Sequence, residues 1–280
     1  MSGLASVIEV TVASRDVERQ VRFCREAFQL EPLARDAGAI VLGVPGSECG
    51  RLRLVAASGD PGLPEPKVWE TGLRVLGIYS RDVPRTEQLV TTAGGTPKPF
   101  MRFEIPSMGG YSEGSVRGPD DLIWFYPCPA RPLPSPAFAA DASRLHSELH
   151  YVAISLPDVA PALEFFAGAG GMTVVMDQET SEDWACDLIG LPHGTRMRMA
   201  CLAGSDLAPT RLMLTAFSNT TRATTDPART VGIRRITFGA DPAALQQRLV
   251  QAGATVLGDG LLRGPAGVEI ELRAPAASKS

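Results

Sequence analysis

Tyr151, Arg235 and Glu271 are of types that together could hold and turn over an oxygen-bearing organic molecule. An arginine clamps a carboxylate or enolate oxygen through its forked donors. A tyrosine donates a hydrogen bond or a proton, and a glutamate acts as a base. Glu269 shares the face of Glu271 by alternation. The same residues also read as a structural Arg–Glu pair with Tyr151 beside it, because ion-pair networks occupy such places too. Glu9 and Arg53 repeat the acid–base pairing in the N-terminal half and could simply neutralise each other. Trp124 and Tyr126 alternate on one strand, as an aromatic wall for a planar ligand or as filling. His146, Glu148 and His150 alternate with a spacing that can bind a metal, yet that alternation sets them opposite Tyr151. His193 stands in the turn Leu191-Pro192-His193-Gly194, exposed or reaching the mouth of a site. Met108 to Gly114 is glycine-rich but lacks the lysine and helix start of a phosphate loop, so it reads as a strand connection. Spacing assigns no Ser-His-Asp or Cys-His arrangement.

A stretch written four times must position these residues. Its copies are Glu9 to Asp16, Val75 to Asp82, Tyr151 to Asp158 and Arg235 to Asp241. Each is an alternating strand, then an Asp, then an apolar run with helical spacing. Val10 and Val12, Leu76 and Ile78, Val152 and Ile154, and Ile236 and Phe238 fall on a face covered by a helix. Glu9, Val75, Tyr151 and Arg235 fall on the other, more open face, which would line a cup. The Asp residues suit N-caps, and Gly94-Gly95, Gly170-Gly171 and Gly253 suit helix ends. Each unit closes with a second alternating strand: Arg51 to Val55, Ile123 to Tyr126, Arg211 to Thr215, and Val268 to Leu272.

The units span about 6–60, 71–128, 146–217 and 231–273. A Pro/Gly connector, Gly59 to Pro66, separates the first two. Residues 129–145 hold Pro129, Pro132, Pro134 and Pro136, a semi-rigid linker or a surface strap, and the domain boundary is placed there. This gives an N-terminal domain 1–128 and a C-terminal domain 146–280. Ser218 to Thr230 reads as a polar loop and Ala274 to Ser280 as a tail. Unit three has the longest internal insert, Met176 to Pro192, which is a lid or a surface excursion.

The 280 residues carry a net charge of −4, with 44% hydrophobic and 21% charged residues. That balance is ordinary for a soluble protein and argues against nucleic acid, whose phosphates need clustered Lys and Arg. No run reaches the length of a membrane span, and no basic n-region leads into an apolar core at the N-terminus. The five scattered cysteines suit reduced thiols in a cytoplasmic protein.

Four strand–helix–three-strand units, with the stretches Gly190 to Leu202, Gly264 to Leu272 and Gly118 to Trp124, resemble the vicinal oxygen chelate superfamily. That superfamily includes glyoxalase I, extradiol ring-cleaving dioxygenases, fosfomycin-resistance enzymes and bleomycin-binding proteins. The resemblance implies an α+β fold of four βαβββ modules, paired into two tandem domains whose curved mixed sheets form cups. Modules pair one with two and three with four, or one with four and two with three. In metal-using members a His or Gln opens the first strand of a module and a Glu lies in its closing strand. Those positions here are Glu9, Val75, Tyr151 and Arg235 (opening) and Arg53, Trp124, Met213 and Glu271 (closing), of which only Glu271 matches. Val75, Trp124 and Met213 cannot serve a hard divalent cation, and the arginines repel one. No cofactor is therefore expected; His146, Glu148, His150 and Glu271 are the residual metal candidates. The expected function is a metal-independent lyase or isomerase on a small aromatic or carbonyl-bearing molecule, sited in the C-terminal cup at Tyr151, Arg235 and Glu271. A protein that sequesters a drug or metabolite, and a metal-dependent dioxygenase or glyoxalase with atypical ligands, stay open as alternatives. A homodimer is plausible, because such sheets expose edges.

Overall fold

The computed structural model describes residues 3–36, 38–59, 65–105, 109–131, 133–218, 220 and 230–274. Asp60 to Pro64 of the first connector, most of the polar stretch 218–230 and residues 275–280 lie outside the described residues. The four modules are present. Module one is β1 (Val7–Ser14), α1 (Val17–Phe28), β2 (Glu31–Asp36), β3 (Ala39–Gly43) and β4 (Arg51–Ala56). Module two is β5 (Gly72–Ser80), α2 (Val83–Thr92), β6 (Thr96–Ile105), β7 (Gly109–Arg117) and β8 (Ile123–Pro129). The short helix α3 (Pro136–Ala140) follows in the Pro-rich strap. Module three is β9 (His146–Leu156), α4 (Ala160–Leu163, continued as a wider turn over Glu164–Ala169), β10 (Thr173–Thr180), α5 (Asp183–Ile189), β11 (Met197–Ala203) and β12 (Arg211–Phe217). Module four is β13 (Gly232–Gly239), α6 (Pro242–Gln251), β14 (Thr255–Gly258), β15 (Leu261–Arg263) and β16 (Glu269–Arg273).

The repeated Asp does what its chemistry allows at a helix start. Asp16 accepts from the Arg19 amide at 2.9 Å, Asp82 from the Arg85 amide at 2.9 Å, and Asp241 from the Ala243 amide at 3.1 Å. Asp158 accepts from the Ala160 amide at 3.0 Å.

The α+β class and the mixed sheets are as the resemblance implies, and each of the two sheets has eight strands. Their pairing is the second of the two arrangements. The first sheet runs β14-β15-β16-β13-β1-β4-β3-β2 and joins modules one and four. The second runs β10-β11-β12-β9-β5-β8-β7-β6 and joins modules two and three. Each sheet thus takes one module from either side of the Pro-rich strap, not two consecutive modules. The seams are antiparallel, β1 on β13 and β5 on β9. The helices pack between the sheets in one shared core. Phe28 of α1 meets Trp124 of β8 with ring centroids 4.8 Å apart, and Phe166 beside α4 meets Phe238 of β13 at 6.3 Å. The outer faces of the sheets are left as cups. No helix among the described residues is long and apolar enough to cross a membrane.

Candidate functional site

The pairing divides the expected trio. Arg235 and Glu271 lie in the cup of the first sheet, and Tyr151 lies in the cup of the second. In the first cup the charges are matched to one another. Arg53 Nε meets Glu9 Oε1 at 3.0 Å and forks onto Asp36 at 3.0 and 2.9 Å. Arg273 Nη2 spans Glu9 Oε1 and Glu271 Oε1, each at 3.1 Å. Arg235 Nη2 reaches Glu269 Oε2 at 3.2 Å, its Nη1 lies 3.7 Å from Glu271 Oε2, and Thr237 Oγ1 donates to that oxygen at 3.0 Å. Burial alone would raise the Glu271 pKa, but Arg273, Thr237 and Arg235 outweigh it and hold the carboxyl below its ordinary value. This geometry matches the structural reading of the Arg–Glu pair. The Arg235→Ala variant is expected to lose at most about 1 kcal/mol of stability, because its side chain is 33% exposed and such pairs are weak. Ligand affinity in the other cup should not change. A melting curve and a binding isotherm check both.

The second sheet encloses a cavity of about 470 Å³. Tyr79 of β5, Tyr111 and Glu113 of β7, His150 and Tyr151 of β9, Cys201 of β11, and Arg211 and Met213 of β12 line it. Its walls are therefore aromatic and thioether surface with a few polar groups, the usual make-up of a small-molecule site. The insert of module three closes the neighbouring part of the cup. Ala185, Cys186 and Leu188 of α5 pack with Val75, Ile123, Phe125 and Ala153. Trp184 stacks on Phe103 with centroids 3.9 Å apart, and Ser115 Oγ donates to the Leu188 carbonyl at 3.4 Å. The insert is thus a plug seated on the sheet and not a bare surface excursion.

Glu113 faces this cavity from the middle of β7. Burial pushes its carboxyl up to about 8. Arg211 faces the same space with its Nε buried and without a hydrogen-bond partner. Its guanidinium lies beside the Cys201 thiol; burial raises that thiol's pKa and Arg211 partly offsets the rise. Tyr79 and Tyr151 are pushed well above the ordinary phenol value, first by burial, and so are neutral donors at physiological pH.

Tyr151 owes its position to a glycine. A Cβ built on Gly77 would stand 2.0 Å from Tyr151 Cε1, so only a residue without a side chain lets the ring lie across β5. The Gly77→Ala variant is expected to cost about 1–3 kcal/mol, the range for overpacking, and to swing the ring off the cavity wall. Chemical denaturation, with ligand affinity in parallel, checks this.

Two sequence expectations are corrected here. Trp124 and Tyr126 face the shared core and are fully buried, while Ile123, Phe125 and Pro127 take the cup side of β8. The run Ile123-Trp124-Phe125-Tyr126 is apolar on both faces, so alternation could not choose between them. His150 does not lie opposite Tyr151. The β5–β9 register shifts between Gly77↔Tyr151 and Ile78↔Leu149, leaving His150 as the extra residue of a bulge, and both side chains line the cavity. His146 and Glu148 are ordered on β9. His146 is a core histidine: Nε2 is 2.8 Å from Thr86 Oγ1, the ring stands edge-on to Phe28, and burial pushes its pKa down to about 3. His193 is exposed and bound to Asp187 at 2.9 Å, apart from the residues lining the cavity. Met213 does line it.

Sequence reasoning missed Glu113, Arg211, Tyr79 and Tyr111. Arg211 was within reach, two residues from Met213 on the closing strand. Glu113 was hidden because Gly109, Gly110 and Gly114 made β7 look like a loop.

Among the described residues, the positions where metal-using members of the vicinal oxygen chelate superfamily hold their ligands do not bring together a donor set for a hard cation in either cup. With the register corrected, the opening and closing positions of the second cup are Val75, Phe125, Tyr151 and Met213, and the last cannot serve a hard cation. In the first cup Glu9 and Glu271 are already bridged by guanidinium groups. No group of three His, Cys, Asp or Glu side chains among the described residues is placed to hold a metal ion.

The fold is that of glyoxalase I. The structure aligns with glyoxalase I of Zea mays at 16% identity and a TM-score of 0.67, covering 96% of this chain and 92% of that one. A point mutant of the maize enzyme aligns at 16% identity and 0.68, with the same coverage. A Bacillus subtilis protein provisionally described as a dioxygenase aligns at 11% identity and 0.63, covering 97% of this chain and 86% of that one. No protein-family model and no curated protein sequence matches the chain. At these identities the likeness carries the fold alone.

Proposed function

We propose that the cavity of the second sheet is an active site for proton transfer on a small aromatic or carbonyl-bearing organic anion, a metal-independent reaction of isomerase or lyase type. The observation that carries this reading is Glu113, a carboxyl group raised to about 8 with its face to the cavity. A neutral carboxyl at physiological pH is a proton donor, and an acid is most useful when its pKa lies near the working pH. Arg211 supports the reading, because it lines the cavity and a guanidinium there can receive an oxyanion. The tyrosines add neutral donors and flat walls. The site sits on β7, β9 and β12 and not at Arg235 and Glu271, whose charges are matched to one another.

A sequestration protein is the second reading, favoured by the aromatic and methionine walls, which can grip a planar ligand without chemistry. Isotope exchange separates the two. Small aromatic carboxylates, phenols and keto acids are first screened by melting temperature. Those that stabilise the protein are then followed by proton NMR in D2O. Loss of a carbon-bound proton signal catalysed by the wild type supports proton transfer. Tight binding with neither exchange nor product, across every ligand that stabilises the fold, overturns it in favour of sequestration.

A further inference from the structure

Glu113 gives up a proton, and a shift of hydrogen between two atoms of a ligand also needs a group that takes one. We propose that His150 is that base, oriented by Glu148 as a positioning residue, an assignment that rests on the cavity being a proton-transfer site. Glu148 is fixed from one side. Its Oε2 accepts from Ser135 Oγ at 2.8 Å and from the Ala137 amide at 3.1 Å, both at the start of α3. Its Oε1 is left 3.7 Å from His150 Nδ1. Oε1, Nδ1 and Nε2 are all buried with no other hydrogen-bond partner. A neutral imidazole donates at one nitrogen and accepts at the other. With Nδ1 turned to a carboxylate, the hydrogen belongs on Nδ1 and the lone pair on Nε2. His150 lines the cavity and its Nε2 has no protein partner, so that nitrogen is the one left for a bound molecule, which must displace its close packing to reach it. Catalytic contacts are often long before a ligand binds, so 3.7 Å does not argue against the couple.

The charged and titratable groups around the ring are these. Glu148 lies on its own strand, with Cys49 near that carboxyl. Tyr79 of β5 stacks on the ring at 3.8 Å, and Arg211 approaches from β12. Tyr111, Glu113, Tyr151, Asp177 and Cys201 line the rest of the cavity. Burial lowers the His150 pKa most, Arg211 adds to that, and Glu148 opposes both. A neutral histidine and a neutral glutamic acid then share one cavity, a base and an acid whose environments push their pKa values apart.

The proton count closes. His150 Nε2 takes the proton of an acidic C–H beside a carbonyl, and the C–H electron pair moves into the new double bond. The π pair of the carbonyl moves onto its oxygen, where Glu113 delivers its proton, and the ligand leaves as the enol isomer. The protein holds an imidazolium beside Glu148 and a carboxylate at Glu113, and solvent returns one proton from the first to the second. The strap thereby gains a role: α3 sets the carboxylate that sets the histidine.

The test uses the full chain labelled with nitrogen-15 histidine; its three histidines give three resolvable rings. In the ligand-free wild type, His150 should be neutral with hydrogen on Nδ1. In Glu148→Gln, Ser135 and the Ala137 amide still donate, so they hold the amide oxygen and turn its NH2 toward the ring. That NH2 donates to Nδ1 and should flip His150 to the Nε2–H tautomer. Benzoate, used as an anionic aromatic probe, should shift the His150 nitrogens and leave those of His146 and His193 in place. An Nε2–H tautomer in the wild type, or an Nδ1–H tautomer surviving Glu148→Gln, overturns the couple. Benzoate that stabilises the fold without moving His150 also overturns it. A probe panel that fails to bind at all counts against the cavity reading, while the tautomers still decide the couple.

Discussion

Glu113→Gln is expected to stop proton transfer and to stabilise the protein, with the gain growing as pH rises. Gln is an isostere of the protonated carboxyl, so the cavity keeps its shape and loses its transferable proton. Removing a general acid costs about 10²–10⁴-fold in rate. The stability change follows from linkage. The folded carboxyl titrates near 8, and its ordinary value is 4.5. Below 4.5 both states hold the proton and Glu113 carries no penalty. Between 4.5 and 8 the unfolded chain releases a proton that the folded chain keeps, so stability falls as pH rises through that window. Above 8 the penalty is complete. Gln cannot ionise, so the difference in melting temperature should be absent in acid, open above pH 4.5 and level off near pH 8. Each 1 kcal/mol removed raises the melting temperature by roughly 2–4 °C for a chain near this size. In the wild type, exchange activity should fall as pH rises through 8, as Glu113 loses its proton. A melting-temperature difference that is constant across pH would show that burial does not raise the Glu113 carboxyl.

The fold was legible in the sequence because its cause is local and repeated. A period-2 strand, a capping Asp and a helical run occur four times, and each copy folds for the same reason. The pairing of the modules was not legible. Every opening strand is apolar on one face and mixed on the other, and nothing in Val10-Val12 or Ile236-Phe238 names its partner strand. The site was readable in part. Tyr151 and Met213 follow from alternation and do line the cavity. Trp124 was lost because β8 is buried on both faces, where a period-2 signal vanishes. His150 was lost because a bulge breaks the alternation that was used to place it. Glu113 was lost because β7 carries three glycines, one of which, Gly114, is required where a Cβ would stand 2.3 Å from the Tyr126 ring. The candidate site thus collects where the local rules break, at a bulge, at close-approach glycines and at an inserted helix.

Arg211 and Arg235 provide the sharpest contrast between function and structure, since both are arginines on cup faces. Arg235 is held by Glu269 and Glu271, and removing it should touch stability alone. Arg211 has a buried Nε with no partner, which the fold gains little from keeping. Arg211→Ala should therefore leave the melting temperature unchanged or raise it, while weakening an anionic aromatic probe by about 1.5–3 kcal/mol, or roughly 10- to 150-fold. The amide of the same acid, which has no charge to offer, should lose far less. Arg211→Lys should recover only part of the affinity, because a point charge cannot reproduce a planar fork. Titration calorimetry with benzoate and benzamide, on the wild type and both variants, reads all of this. Equal losses for the acid and the amide would mean that Arg211 only shapes the wall. A lowered melting temperature with unchanged benzoate affinity would give Arg211 the structural role assigned here to Arg235. Loss confined to the anion would fix Arg211 as the group that chooses the ligand's charge, with Glu113 left to act on the rest of it.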